Sequence, residues 1–205
     1  MKLYDEGNPA PNPRKVRIFL AEKGIDVPRK RVRIMRREHK ATQFMEKNSL
    51  GQVPVLELDD GTHLAESVAI CRYFEALHPT PALFGRDARE QALVEMWIRR
   101  AEFRYWTPIG MVWRHADART AAVVGQQFKD FGESNKKIAS DALNWIDSEM
   151  ADGREYLAGV SYSMADIVLL CGIDFGKFVG LDMPEDASRL RTWHARMTAR
   201  PSSLA

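Results

Sequence analysis

A proline between two valines, in the run Leu50-Gly51-Gln52-Val53-Pro54-Val55-Leu56, most narrows what this chain can fold into. Proline has no N–H to give to a sheet ladder, so an apolar β run that contains one lies at a sheet margin or breaks there. The sequence predicts a cis Val53-Pro54 bond, because cis peptides are essentially confined to X-Pro bonds and turn the backbone sharply. Such a turn presents the N–H and C=O of Val53 outward, as one residue of free strand edge. Ten residues after Leu56, Glu66-Ser67 stands where the apolar helical pattern Val68, Ile70, Cys71, Phe74 begins. The Ser67 hydroxyl and the first free N–H groups of that helix can hold a carboxylate. Asp59-Asp60-Gly61 supplies a hairpin turn between the two halves. Either half alone also occurs as an ordinary edge strand or cap; together they read as a clamp for a small anionic peptide.

From the amino end, Leu3-Tyr4 forms a short strand and the proline-rich stretch Gly7 to Pro13 a loop. A helix follows, with Asn12 at its N-cap, Pro13 at the first helical position, Val16, Phe19 and Leu20 on its apolar face, and Gly24 at its end. Val27 to Ile34 alternates as a strand, with Val32 and Ile34 inward and Arg31 and Arg33 outward. After a weakly helical segment from Arg36 to Asn48 come strands at Val53–Leu58 and His63–Leu64 and a helix from Glu66 to Leu77. The order is βαβαββα over residues 1–78, with a linker at 79–86 marked by His78-Pro79-Thr80-Pro81. Residues 87–205 show no strand alternation and read as all-α. One helical pattern runs from Arg86 to His115, with a kink expected at Pro108 and Gly110. Another runs from Thr120 to Met150, with Ile138, Leu143, Trp145 and Ile146 as apolar positions. Ser163-Met164-Ala165-Asp166 has the form of a capping box.

The 205 residues are 45% hydrophobic, enough for one or two compact cores. No stretch approaches the length of a membrane span, and the start lacks the apolar region of a secretory signal, which implies a cytoplasmic address. Cys71 and Cys171 each stand alone in an apolar helical pattern, which argues for buried inert thiols and against disulfide, zinc or dithiol chemistry. Net charge is only +2, yet Arg14 to Lys47 carries twelve Lys/Arg against four Asp/Glu. No aromatics interleave with Arg29-Lys30-Arg31, so a nucleic-acid partner is not expected, nor a membrane; these charges read as a solvated surface.

The succession Q-V-P-V-L, D-D-G, E-S-x-A-I resembles the amino-terminal domain of cytosolic glutathione S-transferases, and Trp193 to Ala199 with Arg200-Pro201-Ser202 resembles the end of that family's second domain. The resemblance implies a thioredoxin-like domain that holds glutathione, followed by an all-helical domain that supplies the pocket for an electrophile. It implies a cytoplasmic homodimer that conjugates the glutathione thiol to small apolar electrophiles in detoxification, with glutathione as co-substrate and no metal. By the same resemblance the main chain of Val53 pairs with the cysteinyl unit and Pro54 holds that edge. Glu66 and Ser67 take the γ-glutamyl ammonium and carboxylate, while His39 or Lys40, with Gln52 beside them, meets the glycyl carboxylate. Tyr105, Trp106, Met111 and Trp113 are the candidates for the electrophile pocket, and Ser163 and Asp166 are folding residues.

One element of the family pattern is missing. In serine-type bacterial relatives, theta- or nu-like, the first loop reads S-P-N-x-R and the serine holds the thiolate; here it reads Ala10-Pro11-Asn12-Pro13-Arg14. Three expectations stay open: the Asn12 side-chain amide replaces the hydroxyl, aided by the field at the helix start; Asn12 only caps the helix; or a hydroxyl such as that of Tyr4 comes from elsewhere. Arg14 is either an electrostatic aid or a dimer-surface residue. The rivals to a transferase are a non-catalytic glutathione-binding module, which Ala10 favours, and a glutathione-dependent reductase or peroxidase, which the absence of a loop cysteine weakens.

Overall fold

The computed structural model describes all 205 residues, and they fall into two compact units, Met1–Leu83 with Leu204–Ala205, and Phe84–Ser203. The first unit contains β1 (Lys2–Asp5), α1 (Pro11–Lys23), β2 (Arg29–Arg31), α2 (Thr42–Met45), β3 (Val55–Glu57), β4 (His63–Ala65) and α3 (Ser67–Leu77), with single 3-10 turns at Ile34–Arg36 and Glu38–Lys40. The sheet order is β2-β1-β3-β4. β2 runs parallel to β1, with Leu3 opposite Arg29, and β3 and β4 run antiparallel, with Leu56 opposite Leu3 and Leu64. This is the βαβαββα, thioredoxin-like arrangement expected from the sequence. α1 packs against α3, and Leu3, Val16, Ile18, Phe19, Leu56, Ile70, Cys71 and Phe74 are all but sealed from solvent. Each large apolar side chain buried in this way contributes about 1.5–3 kcal/mol before the cost of ordering the chain.

Several boundaries differ from the sequence expectation, each for a local reason. α1 is capped by Ala10, with Pro11 at its first position, so Asn12 lies inside the first turn and is not a cap. β2 stops after three residues, because side chains take over the amides that would extend it. Glu38 accepts the Arg33 N–H at 2.8 Å, and Glu6 accepts the Ile34 N–H at 2.9 Å. Val32 is still buried, beside Tyr4, Phe44, Val53 and Val55, with Ile34 against them. The basic excess is not all surface charge. Lys15 and Arg17 are buried, and the covered Lys23 ammonium meets Glu75 at 2.6 Å and donates to the carbonyls of His78 and Pro81.

The second unit contains α4 (Ala88–Ala101), a π-helical segment (Glu102–Trp106), α5 (Thr107–His115), α6 (Ala121–Val124), α7 (Lys129–Glu149), α8 (Met164–Phe178) and α9 (Ser188–Thr198). The disturbance expected at Pro108 lies just upstream of it. Thr107 N–H bonds to Glu102 O, five residues back, and this widened turn feeds the chain into a helix that Pro108 cannot join by an N–H. The pattern from Thr120 to Met150 is two helices, separated at Gly125, whose φ of 81° few other residues adopt. Ile138, expected in the core, is 51% exposed, and Trp145 is half-buried, stacked on Trp97. α8 is buried along most of its length and opens with the capping box of Ser163 and Asp166. No helix is long and apolar enough to cross a membrane.

Candidate functional site

The Val53-Pro54 bond is cis. β3 begins only at Val55, opposite Tyr4 on one side and Ala65 on the other, so the ladder on both sides ends short of Val53. The Val53 side chain is anchored in the cluster with Tyr4 and Phe44, while its N–H and C=O meet no other backbone group. Gln52 is exposed, and its carbonyl accepts from the Asn48 side chain at 2.9 Å. Packing thus fixes the residue and leaves its main chain free, as strand addition by a peptide requires.

Glu66 and Ser67 sit at the start of α3. Glu66 is the N-cap residue, with φ 66° and ψ 116°, and its side chain makes no capping bond. Positive φ is sparsely populated by residues other than glycine, and such strain gathers at functional positions. Ser67 is the first helical residue, and its hydroxyl makes no hydrogen bond within the chain. The first-turn amides of α3 are therefore uncapped by any side chain, at the positive end of the helix. Groups of this kind at a helix start can hold an anion.

His39 and Lys40 come next to the other end of the Val53 turn. Gly51 has φ 56°, and a methyl group there would lie 2.7 Å from His39 O and 2.9 Å from Lys40 Nζ. Lys40 Nζ donates to Leu50 O at 2.8 Å, which brings its ammonium beside Gly51-Gln52. His39 Nδ1 is sealed from solvent without a partner. Burial, reinforced by the charges of Lys40 and Arg37, holds this imidazole below its ordinary pKa and so neutral near pH 7.

The first loop supplies few donors. Ala10 N–H bonds to Gly7 O at 3.0 Å, Pro11 and Pro13 have no N–H, and Arg14 N–H reaches Ala10 O at 3.3 Å. Within that turn Asn12 alone keeps an unspent backbone amide, and its side chain is exposed. The Tyr4 hydroxyl is committed elsewhere, donating to Glu57 at 2.7 Å. With this bond first, then those of Lys47 and His63, the Glu57 carboxyl is held down to about 2.

In the helical unit, Trp106, Met111 and Trp113 are half-buried, whereas Tyr105 is 0% exposed. The Tyr105 hydroxyl lies against Gly176 without a partner, and burial together with the Asp174 charge raises its pKa. Tyr105 is a core residue, which corrects its assignment to the pocket. Phe175 joins the other aromatics: it stacks on Trp106 at 6.4 Å and meets Trp113 edge-on at 5.6 Å. The Trp106 indole donates to Val168 O at 2.9 Å, close against Gly172.

The family models for the glutathione S-transferase N-terminal and C-terminal domains match residues 10–77 and 114–201. The chain belongs to the glutathione S-transferase family. It is 40% identical to glutathione S-transferase 2 of Saccharomyces cerevisiae over 98% of this chain and 87% of that protein. It is 28% identical to human glutathione S-transferase theta-2, over 91% of this chain and 76% of that one. The solved structure of Gtt2 from Saccharomyces cerevisiae superposes with a TM-score of 0.94 at 39% identity, covering 100% of this chain and 99% of that one. What the sequence of this glutathione S-transferase relative does not reveal is the set of polar contacts that Arg17 makes around its first loop. Arg17 reaches Asp5 at 2.8 Å and Asn8 at 2.7 Å, and no local pattern in the sequence announces either pairing.

Proposed function

We propose that this protein binds glutathione and adds its sulfur to small apolar electrophiles. The reading is carried by one observation: the unpaired main chain of Val53 and the uncapped start of α3, with the free Ser67 hydroxyl, flank the open end of the β3–β4 hairpin, where Val55 pairs with Ala65. A tripeptide with one carboxylate at each end matches that layout. The cysteinyl unit pairs with Val53, which Pro54 holds in place. The γ-glutamyl end sits at Glu66 and Ser67, and the glycyl carboxylate meets His39 or Lys40 beside Gln52. Residues 1–78 form the glutathione-binding domain, 79–86 the linker and 87–205 the domain that supplies the electrophile pocket, with Trp106, Met111 and Trp113 on its wall. No metal takes part.

Asn12 holds the thiolate. It stands two residues after Ala10, which holds the place of the serine in serine-type, theta- or nu-like relatives, and its amides are the ones available at the start of α1. Lowering a thiol pKa by one unit requires about 1.4 kcal/mol of preferential thiolate stabilisation, within the reach of one charge-assisted hydrogen bond. A second reading, a binding module without transferase activity, is favoured by the Ala10 N-cap, which has no hydroxyl to offer. A glutathione-dependent reductase is disfavoured, since both cysteines are buried. The working form is a cytoplasmic homodimer acting in detoxification. Support for the dimer comes from an exposed groove of about 470 Å³ on the helical unit, lined by Arg100, Arg104, Ile138, Asp141, Ala142 and Trp145. A two-fold pairing would cover this groove with the same patch of a second copy.

Two substitutions separate the readings. Asn12→Ala should lower conjugation of a generic aryl halide at least about tenfold while glutathione affinity holds. Ser67→Ala should weaken that affinity about tenfold. An unchanged rate in Asn12→Ala clears Asn12 of the chemistry, and wild-type protein that is retained on immobilised glutathione but conjugates nothing establishes the binding module.

A further inference from the structure

Arg17 is 6% exposed, in the second turn of α1, and its guanidinium points back toward the first loop. Nη1 donates to Asp5 Oδ1 at 2.8 Å and to Glu6 O at 3.0 Å, and Nη2 donates to Asn8 Oδ1 at 2.7 Å. One planar fork thus grips the end of β1, the first loop carbonyl and a loop side chain. Glu6 secures the opposite side: its carboxylate accepts from Gly7 N–H at 2.9 Å, Arg31 Nε at 2.8 Å and Ile34 N–H at 2.9 Å. The segment between, Gly7 to Ala10, closes on itself through Ala10 N–H to Gly7 O and runs directly into the Asn12 turn.

A buried ion pair is poor value as a source of stability, because desolvation of both charges offsets their attraction and an apolar pair of similar volume often does as well. Burial indeed pushes the Asp5 carboxyl up, against the opposing charge of Arg17. What a fork with three acceptors supplies is geometry. Geometry matters most here, where the first turn of α1 offers only the amides of Asn12 and no hydroxyl, so that a thiolate has no other residue of that turn to shift to if the loop moves.

We infer that Arg17 is a positioning residue for thiol activation, a latch that fixes the Glu6–Ala10 loop and through it the Asn12 turn on which the bound sulfur rests. This inference rests on the transferase reading above. Lysine keeps the charge of Arg17 but cannot span Asp5, Glu6 O and Asn8 together, so Arg17→Lys should not restore the latch.

The test titrates the thiolate absorbance of bound glutathione in wild type, Arg17→Lys and Asn8→Ala. Asn8 is exposed, so Asn8→Ala opens the loop arm of the latch without stranding a buried charge and keeps the test available if Arg17→Lys folds poorly. Each variant should titrate about one pH unit higher than wild type, with conjugation down about tenfold at low pH and recovering at high pH. Affinity for S-methylglutathione, which has no thiol to ionise, should stay within about twofold, and the double variant should be no worse than either single one. Unchanged titration in both folded variants overturns the latch. A wild-type thiol that titrates like free glutathione overturns the transferase reading, and the latch with it.

Discussion

At the scale of single residues, the division of labour around the proposed clamp follows from what each side chain already has to do. Val53 and Ser67 were legible because their signals are local: a proline in an apolar run removes a donor, and a serine at a helix start faces unpaired amides. Asn12 was legible as a candidate but not in its place, since two prolines flank it and either can open a helix; the structure gives that position to Pro11. Arg17 was illegible, because its partners are assembled by the fold and nothing in a basic run marks one arginine as buried. Tyr105 read like its aromatic neighbours, and only the packing of α8 shows that it points inward. His39 carries a pH prediction. Burial holds its pKa below the ordinary value, so it is neutral near pH 7 and gains a proton as pH falls. In the proposed site that proton faces a carboxylate. Glutathione affinity should therefore rise as pH is lowered from about 7.5 to about 5.5, and the rise should vanish in His39→Asn, as measured by calorimetric titration.

At the scale of elements, periodicity located the helices and strands well, while termini and interruptions depended on groups far away in sequence. β2 is cut short by Glu6 and Glu38, and the long first helix of the second unit is widened to a π turn before Pro108. The capping box at Ser163 was visible from its spacing, yet its larger role was not. Asp166 is fully buried and accepts from Ser163 N–H at 2.9 Å and Ser163 Oγ at 3.0 Å. It also accepts from Leu157 N–H at 2.7 Å and the Trp193 indole at 2.9 Å, so a single carboxylate ties α8 to α9 and to the preceding loop. Ser163→Ala should cost roughly 1 kcal/mol as a lost cap. Asp166→Ala strands several buried donors at once and should cost on the order of 3–5 kcal/mol by urea unfolding; a loss no larger than that of Ser163→Ala would reduce Asp166 to a simple cap.

At the scale of the whole molecule, the two-unit plan and the thioredoxin-like first half were readable from the order of elements, and family membership confirms the resemblance that the Q-V-P-V-L and E-S motifs carried. The exposed side chain of Ile138 was not readable, because a helix stripe looks the same whether the fold or a second copy covers it. If a second copy covers it, wild-type protein should sediment as a dimer and Ile138→Glu as a monomer at micromolar concentration; a monomeric wild type removes the proposed dimer. Function at this scale reduces to whether the chain, as proposed, binds glutathione and ionises its thiol without the usual hydroxyl. The direct measurement is the thiolate absorbance of glutathione bound to wild-type protein as a function of pH. Binding by Val53 and Ser67 with Asn12 at the sulfur predicts a thiol pKa lowered from about 8.5 to about 7, and a bound thiol that still titrates near its free value would contradict it.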